Sequence, residues 1–226
     1  MASRQPDPVT AVHPRWWHFW QCERCDSPAA ETRQRLLEAA FEEIHRVGFQ
    51  AASLHRILRR TGVTKGALYH HFPSKLALGY AVVDELLGPY LEQRWLMPLR
   101  SATDPVEKLK LLLKKSAQLM KDEDVMLGCP LNNLAQEMAP VDEGFRTRIQ
   151  GLFDAWRYGI SAALSRGQAS GQVRPDCDPG QAASVILATL EGCIGLAKTA
   201  QSMDLLRECG AGLLEYLDNL KPQQGA

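Results

Sequence analysis

The chain has 226 residues, 45% of them apolar, and its 26 Lys and Arg balance its 26 Asp and Glu. A chain of this length can bury a substantial core in one or two domains. It has no apolar run near the roughly 18 residues of a membrane span and no basic start followed by an apolar core. We therefore predict a cytoplasmic protein that does not cross a membrane, with its six cysteines as reduced thiols.

Residues 1–26 look separate from the rest, and we expect a flexible extension or a helix that lays its aromatic side chains on the body. The segment is rich in Pro near its start and contains the run WWHFW at residues 16–20. Four side chains of zinc-binding types lie here, namely His13, His18, Cys22 and Cys25. They lie within thirteen residues, without the loop that usually separates the ligand pairs of a Cys2His2 site. We therefore expect no metal and no cofactor.

The first strong pattern is a helix from about Pro28 to Val47. Ser27 can cap it, Pro28 suits the first helical position, and Gly48 suits the end. Apolar residues recur at helical spacing, at Leu36, Leu37, Ala40, Phe41, Ile44 and Val47. This stripe is expected to pack over the two short helices that follow.

A helix-turn-helix follows between Ser53 and Lys75. One helical pattern opens at Ser53 and stops at the turn Thr61-Gly62-Val63, and a second opens at Thr64 and stops at Pro73. With residues placed about 100° apart on the second helix, Ala67, Leu68, His71 and Phe72 share one face. The opposite face carries Lys65, Gly66, Tyr69 and His70. The first set can pack inward, and the second suits a nucleic acid better than a core.

The chemistry of the outer face fits a DNA groove. Thr64 can cap the helix or meet a phosphate, and Lys65 has the reach and charge for a guanine edge or a phosphate. Gly66 lets the backbone come close to the bases. Residues 31–75 hold eight Lys and Arg against four Glu, whereas residues 76–226 hold fifteen against nineteen acidic residues. The basic charge therefore collects where phosphate binding requires it.

From about Thr32 to Lys75 the chain resembles the DNA-binding domain of TetR-family transcriptional regulators. The resemblance rests on RLLEAAFEEIHRVGF, on TGVTKGALYHHF, and on the Pro73-Ser74-Lys75 that follows. It implies DNA contacts at Ser53, Thr64, Lys65, Gly66, Tyr69, His70, His71 and Lys75. The family usually carries an acidic residue at the position of Arg56 and a small one at Leu58. Arg56 would make the first helix of the motif more basic, and Leu58 would shift how the two helices pack.

Beyond the motif, every strong pattern is helical, so we predict an all-α protein. A helix begins near Ser74 and meets Pro89 part-way along. Further helices are predicted over 105–121, 125–138, 142–168, 178–200 and 203–219, with Asp122 to Asp124 as a loop. The predicted domains are the extension 1–26, a helix-turn-helix head over 27–75, and a body over 76–226 for effector binding and dimerisation.

The last two helices are the candidate dimer interface. The segment 182–200 is crowded with Ala and Gly at helical spacing, which permits close helix approach, and leucines between 205 and 217 supply bulk. A buried hairpin within one subunit would explain the same pattern. The family resemblance favours a homodimer interface of four helices, two from each subunit.

The middle helices are expected to enclose an effector pocket. Its predicted lining is Trp95, Met120, Met126, Cys129, Asn133, Phe153 and Trp156, although a Met and aromatic set at helical spacing is more often plain core. Cys129 begins a helix, where the dipole would lower the pKa of its thiol. Its GCxxxNLxxE context resembles a branch of the family in which some members sense oxidants or electrophiles. The alternative is a buried structural cysteine.

No phosphate-binding glycine loop, HExxH or GxSxG motif is present, so we do not expect an enzyme. We predict a ligand-responsive regulator, most simply a repressor that binds a palindromic DNA operator as a homodimer and is released by a small molecule. Repression, rather than activation, follows from the family resemblance. The alternative is a helical ligand- or redox-sensing protein that has lost or altered DNA binding.

Overall fold

The computed structural model describes residues 27–222, and every regular element within that range is a helix. The prediction of an all-α fold is therefore confirmed. The extension 1–26, with its four candidate zinc ligands, lies outside the described residues. The helices are α1 (Pro28–Val47), α2 (Leu54–Thr61), α3 (Lys65–His71), α4 (75–100), α5 (Pro105–Leu119), α6 (Asp122–Leu127), α7 (Pro130–Met138), α8 (Glu143–Ala169), α9 (Pro179–Ala200) and α10 (Met203–Asp218).

Side-chain caps define where the helices of the head begin. The hydroxyls of Ser27, Ser53, Thr64 and Ser74 each accept a hydrogen bond from the backbone N–H three residues later. Gly62 ends α2 in the left-handed region, with φ +68°, which a residue without a Cβ adopts at little cost. The bounds of α1 are those predicted from its capping residues.

Helix α4 continues from the head into the body, through Pro89 and Pro98. Two stretches, Val82–Leu87 and Glu92–Leu96, have the wider π-helical winding. Each lies just before a proline, which lacks an N–H and would interrupt regular i→i−4 hydrogen bonding. We attribute the widened turns to these prolines, around which the helix persists without a break.

The predicted helix over 125–138 is wrong, because the structure has two helices there. Asp122, Glu123 and Asp124 form the first turn of α6 instead of a loop. The carboxylate of Asp124 accepts a hydrogen bond from the backbone N–H of Lys121 at 2.8 Å, so acidic residues stabilise this helix start. The break falls at Gly128 instead, where φ is +72°.

The core of the head is continuous with part of the body. Buried Phe41 and Phe72 belong to the same apolar cluster as Leu134 and Phe145 of the body. The ring of Phe145 lies edge-on to Phe49, with centroids 4.7 Å apart. A second cluster, built from α4, α5, α8, α9 and α10, forms the core of the body.

Helix α9 is long and apolar enough, by length and composition alone, to cross a membrane, with a mean hydropathy of 1.4 over its most apolar window. The sequence expectation had missed this. One face of α9 packs in the body core, where buried Ala183 and Ile186 lie in one cluster with Ile160 of α8 and Leu217 of α10. A core helix of a soluble protein has the same properties, so α9 does not indicate a membrane protein.

Candidate DNA-binding surface and effector cavity

The recognition face of α3 is exposed as the helical wheel predicts. Leu68 and Phe72 are buried on the inner side, and Ala67 and His71 are half-buried. The outer side carries the exposed residues Lys65, Gly66, Tyr69 and His70, together with Thr64 at the helix start. We call these five residues the recognition face.

The recognition face leaves its polar groups accessible. A Cβ at Gly66 would have no atom within 4 Å, so a partner can approach the backbone there. The ammonium of Lys65 lies 5.8 Å from the ring centroid of Tyr69, one turn further along. Thr64 uses its hydroxyl to cap α3, accepting from Ala67 N–H at 3.2 Å. The face therefore offers a cation, a phenol and an imidazole around an open backbone.

Ser53 and Lys75 both have intramolecular partners. The hydroxyl of Ser53 accepts from the N–H of Arg56 at the start of α2. The Lys75 ammonium donates to the carbonyl oxygen of Gln50 at 3.0 Å and lies over the ring of Phe49. Burial lowers the pKa of Lys75. Both residues support the head structurally, and their roles as phosphate contacts stay predictions.

Arg56 does not add a free charge to the motif. Its Nε donates to the carboxylate of Glu43 at 2.5 Å, and Arg46 pairs with the same buried carboxylate. The guanidinium of Arg60 pairs with Glu42 in the same way. The positive charge that Arg56 adds to α2 is therefore compensated by an ion pair within the head.

The body contains a cavity of about 330 Å³ with mainly apolar walls. Four predicted pocket residues line it, namely Trp95, Met120, Cys129 and Trp156. The prediction missed the other lining residues, among them Tyr90, Arg94, Glu191, Cys193, Leu206 and Arg207. Glu191 carried a readable signal, since it is the one acidic residue in the apolar, small-residue segment 182–200.

Three predicted pocket residues lie elsewhere. Met126 is 50% exposed on α6, and Phe153 is half-buried against the two main apolar clusters. The side chain of Asn133 donates to the carbonyl oxygen of Leu127 at 2.7 Å and accepts from Lys198 at 2.8 Å. It thereby joins α7 to α9 and takes no part in the cavity wall.

The environment of Cys129 opposes an ionised thiol. Burial, and next the negative charge of Glu191, raise the pKa of Cys129 well above its usual value. Hydrogen bonds from the N–H groups of Leu131 and Asn132 act in the opposite direction but do not prevail. The prediction that the helix start lowers this pKa is wrong, because burial outweighs the partial charges of one helix end.

We expect iodoacetamide to alkylate Cys129 more slowly in the folded protein at pH 7 than in the same protein unfolded in urea. The thiolate is the reacting form, and burial disfavours it. Peptide mass spectrometry over a time course measures the rate. Cys209 is the internal comparison, because it is half-buried to the same class as Cys129 but lies outside the cavity lining. Equal rates for Cys129 in the two states would contradict the expected protection.

The wall of the cavity is also the attachment point of the head. The carbonyl oxygen of Gly128, a lining residue, accepts a hydrogen bond from His45 Nε2 of α1 at 2.8 Å. Burial lowers the pKa of His45 to about 4, so the ring is neutral near pH 7. Nearby, the Glu137 carboxylate accepts from the backbone N–H groups of Phe49 and Gln50, at 2.7 and 2.8 Å. The segment that begins at Gly128 therefore both lines the cavity and contacts the head.

Comparisons with known proteins cover both parts of the chain. The family model for bacterial regulatory proteins of the tetR family matches residues 36–82. The model for the tetracyclin repressor-like C-terminal domain matches residues 105–211. The transcriptional regulator AcuR of Cereibacter sphaeroides is 28% identical over 173 residues, which is 75% of this chain and 78% of the relative.

Solved structures show the same arrangement. The regulatory protein TetR from Rhodobacter sphaeroides aligns with a TM-score of 0.73 and 25% identity, covering 82% of this chain and 98% of the other. SmeT, the repressor of a multidrug efflux pump of Stenotrophomonas maltophilia, aligns with a TM-score of 0.66 and 27% identity, covering 85% and 91%. Given the recognition face, the helical body and these matches, the chain belongs to the TetR family of transcriptional regulators, with a helix-turn-helix DNA-binding head and a ligand-binding C-terminal domain.

Proposed function

We propose that this protein is a cytoplasmic repressor that binds a palindromic operator as a homodimer and leaves it when a small molecule occupies the cavity. The observation that carries the proposal is the recognition face, which is exposed on a helix whose opposite side is buried. The similarity of the chain to SmeT, the repressor of a multidrug efflux pump, supports repression. The proposed division places the DNA-binding head at 27–75 and the effector-binding and dimerisation body at 76–226.

We assign two kinds of DNA contact to the head. Lys65, Gly66, Tyr69 and His70 face the bases, since they lie on the exposed side of α3. Ser53, Thr64, His71 and Lys75 contact phosphates from the helix starts and the flank of α3. Phosphate contacts fix the register of the protein on the duplex, and base contacts give sequence preference.

Replacing Lys65 by Ala is expected to weaken operator binding by about 1–3 kcal/mol if the ammonium contacts a base edge. The operator is first obtained by selection of bound fragments from random duplex DNA, and affinity is then measured by fluorescence anisotropy. Lys115→Ala, at an exposed lysine of the body, is the matched control. Equal affinities for the two variants would exclude Lys65 from the interface.

Salt dependence tests the proposal against a protein that has lost DNA binding. Lysine and arginine contacts to phosphates release counterions, so the logarithm of the affinity should fall linearly with the logarithm of salt concentration. If no duplex is recovered from the random pool, even at about 50 mM salt, the result would favour a helical sensor without DNA binding.

The outward face of α9 and α10 is the proposed dimer interface. Val185 and Leu196 are 44% and 58% exposed on α9, and Ala188 and Gly192 lie exposed between them. On α10, a Cβ at Gly212 would meet nothing within 4 Å. Apolar and small residues exposed on neighbouring helices fit a close, two-fold symmetric contact with a second copy.

Cavity and head are coupled, in this proposal, through Gly128. A ligand that shifts the wall at Gly128 to Pro130 moves the acceptor of the His45 hydrogen bond, and therefore α1. The two heads are spaced correctly for DNA in one state of the dimer and wrongly in the other. A ligand that binds the second state more tightly than the first shifts the equilibrium toward it, by the difference between its two binding free energies. A difference of about 1–3 kcal/mol changes operator affinity roughly 5- to 150-fold.

A further inference from the structure

The cavity wall contains a buried carboxyl group with few partners. Glu191 of α9 is 8% exposed and lines the cavity. Within the described residues, neither of its carboxylate oxygens has a nitrogen or oxygen hydrogen-bond partner, and its interacting neighbour is the thiol of Cys129. Burial raises the pKa of Glu191 to about 7. A buried carboxylate without a counter-ion is costly, so this group points to a ligand that compensates it.

Other charged groups of the cavity do not compensate Glu191. Arg94, Lys114 and Arg207 line the cavity, but none forms an ion pair with Glu191 in the part of the chain described. Arg94 donates to the hydroxyl of Ser116 and is hydrogen-bonded to Tyr90. Lys114 and Arg207 are exposed, and Arg207 pairs with Asp204. These cations are therefore solvated or engaged elsewhere.

The rest of the wall is aromatic and aliphatic. The rings of Trp95 and Trp156 lie 5.0 Å apart, and Tyr90 lines the cavity near Cys129. Aromatic faces attract cations as well as apolar groups. At about 330 Å³, the cavity is at the small end of the range for ligand pockets.

We propose that the cavity binds a small organic cation, an ammonium group on an apolar or aromatic body, with Glu191 as its counter-ion. The ammonium donates to the carboxylate oxygens and neutralises their charge, while the apolar body fills the space beside the tryptophans. A neutral ligand of the same shape would fill the space but leave the carboxylate uncompensated. The inference deepens the proposed function, since it names the chemical class of the effector and rests on this cavity being the effector site.

The probes are 2-phenylethylamine, which is a cation at pH 7, and 2-phenylethanol, its neutral analogue of nearly the same size. Isothermal titration to the full chain without DNA measures both affinities. We expect the amine to bind at least about tenfold more tightly, which corresponds to about 1.4 kcal/mol. Equal affinity, or tighter binding of the alcohol, would overturn the proposal and favour a neutral ligand.

Glu191→Gln removes the charge and keeps the shape of the side chain. It should weaken binding of the amine at least about tenfold and change the affinity for the alcohol by no more than about twofold. Glu123→Gln, at an exposed glutamate of α6 outside the cavity lining, should change neither. An amine affinity unaffected by Glu191→Gln would refute the role of Glu191, and circular dichroism establishes that each variant is folded.

Proton release gives an independent measure. Because burial raises the pKa of Glu191 to about 7, part of the population is protonated at pH 7, and ionisation on amine binding should release that fraction of a proton per ligand. Titrations in two buffers of different ionisation enthalpy measure this number, and Glu191→Gln should abolish it. Release that persists in Glu191→Gln would locate the proton elsewhere and count against the proposal.

Failure of the ligand class and failure of the proposed function are distinguishable. If the amine binds through Glu191 but operator affinity does not change when the amine saturates the protein, the cation site stands and the effector role fails. If operator binding is selective and salt-dependent but the amine and alcohol bind equally, the DNA-binding function stands and the cation proposal fails.

Discussion

Leu196→Glu should separate the proposed homodimer and, with it, remove high-affinity operator binding. Leu196 is 58% exposed on the outward face of α9, so within one subunit the change costs little, about 0.5 kcal/mol or less. In a two-fold interface the same change occurs twice. Each new carboxylate would be buried without a partner, at a cost of several kcal/mol per ion. The dissociation constant of the dimer should therefore rise by about a thousandfold or more.

Light scattering coupled to size-exclusion chromatography measures the molecular mass of the variant, and fluorescence anisotropy measures its operator affinity. Leu111→Glu is the matched control, because Leu111 is 43% exposed on α5, outside the proposed interface. We expect this control to stay dimeric and to bind operator normally. A Leu196→Glu protein that remains dimeric would exclude this face of α9 as the interface.

Phe145→Ala should lower the free energy of unfolding by about 3–5 kcal/mol, the range for removing a buried aromatic ring. Phe145 is fully buried where the head meets the body. Its ring lies edge-on to Phe49 and to Tyr80, with centroids 4.7 and 5.0 Å apart. Since these rings join the two parts, the variant should also bind operator less tightly. Urea unfolding followed by circular dichroism measures the loss of stability.

The control for Phe145→Ala is the same change on the same helix, at half-buried Phe153. Phe153→Ala should cost less, because less of its side chain leaves water on folding. If Phe153→Ala proves as destabilising as Phe145→Ala, the contact between head and body has no special weight in stability.

The recognition face was predictable because its signals are local. Caps at Ser53 and Thr64 and the turn at Gly62 fix two short helices, and helical spacing then separates buried Leu68 from exposed Tyr69. Each of these signals acts over a few residues. Sequence therefore sufficed to place the side chains, although not to show that Arg56 is paired with Glu43, since that depends on how α2 packs against α1.

The cavity was predictable only in part, because its walls come from helices far apart in the chain. A single helix over 125–138 would place Met126 and Cys129 on one side, three residues apart. The break at Gly128 removes that relation, so Met126 faces solvent while Cys129 lines the cavity. The raised pKa of Cys129 likewise comes first from burial in the folded chain and next from the charge of Glu191, sixty-two positions further along the chain.

A hybrid regulator that joins this body to the head of a relative would keep the hydrogen bonds of Glu137, because they are made to backbone N–H groups at positions 49 and 50. Contacts made by side chains restrict the sequence of the donor head more strongly. The donor head needs a histidine at position 45 to reach Gly128 and an aromatic ring at position 49 to pack on Phe145. Gly79 must be retained from α4, since a Cβ there would come within 2.4 Å of the Phe49 ring. A biosensor built on this scaffold therefore needs its junction within α4, and positions 45 and 49 of the head cannot be exchanged freely.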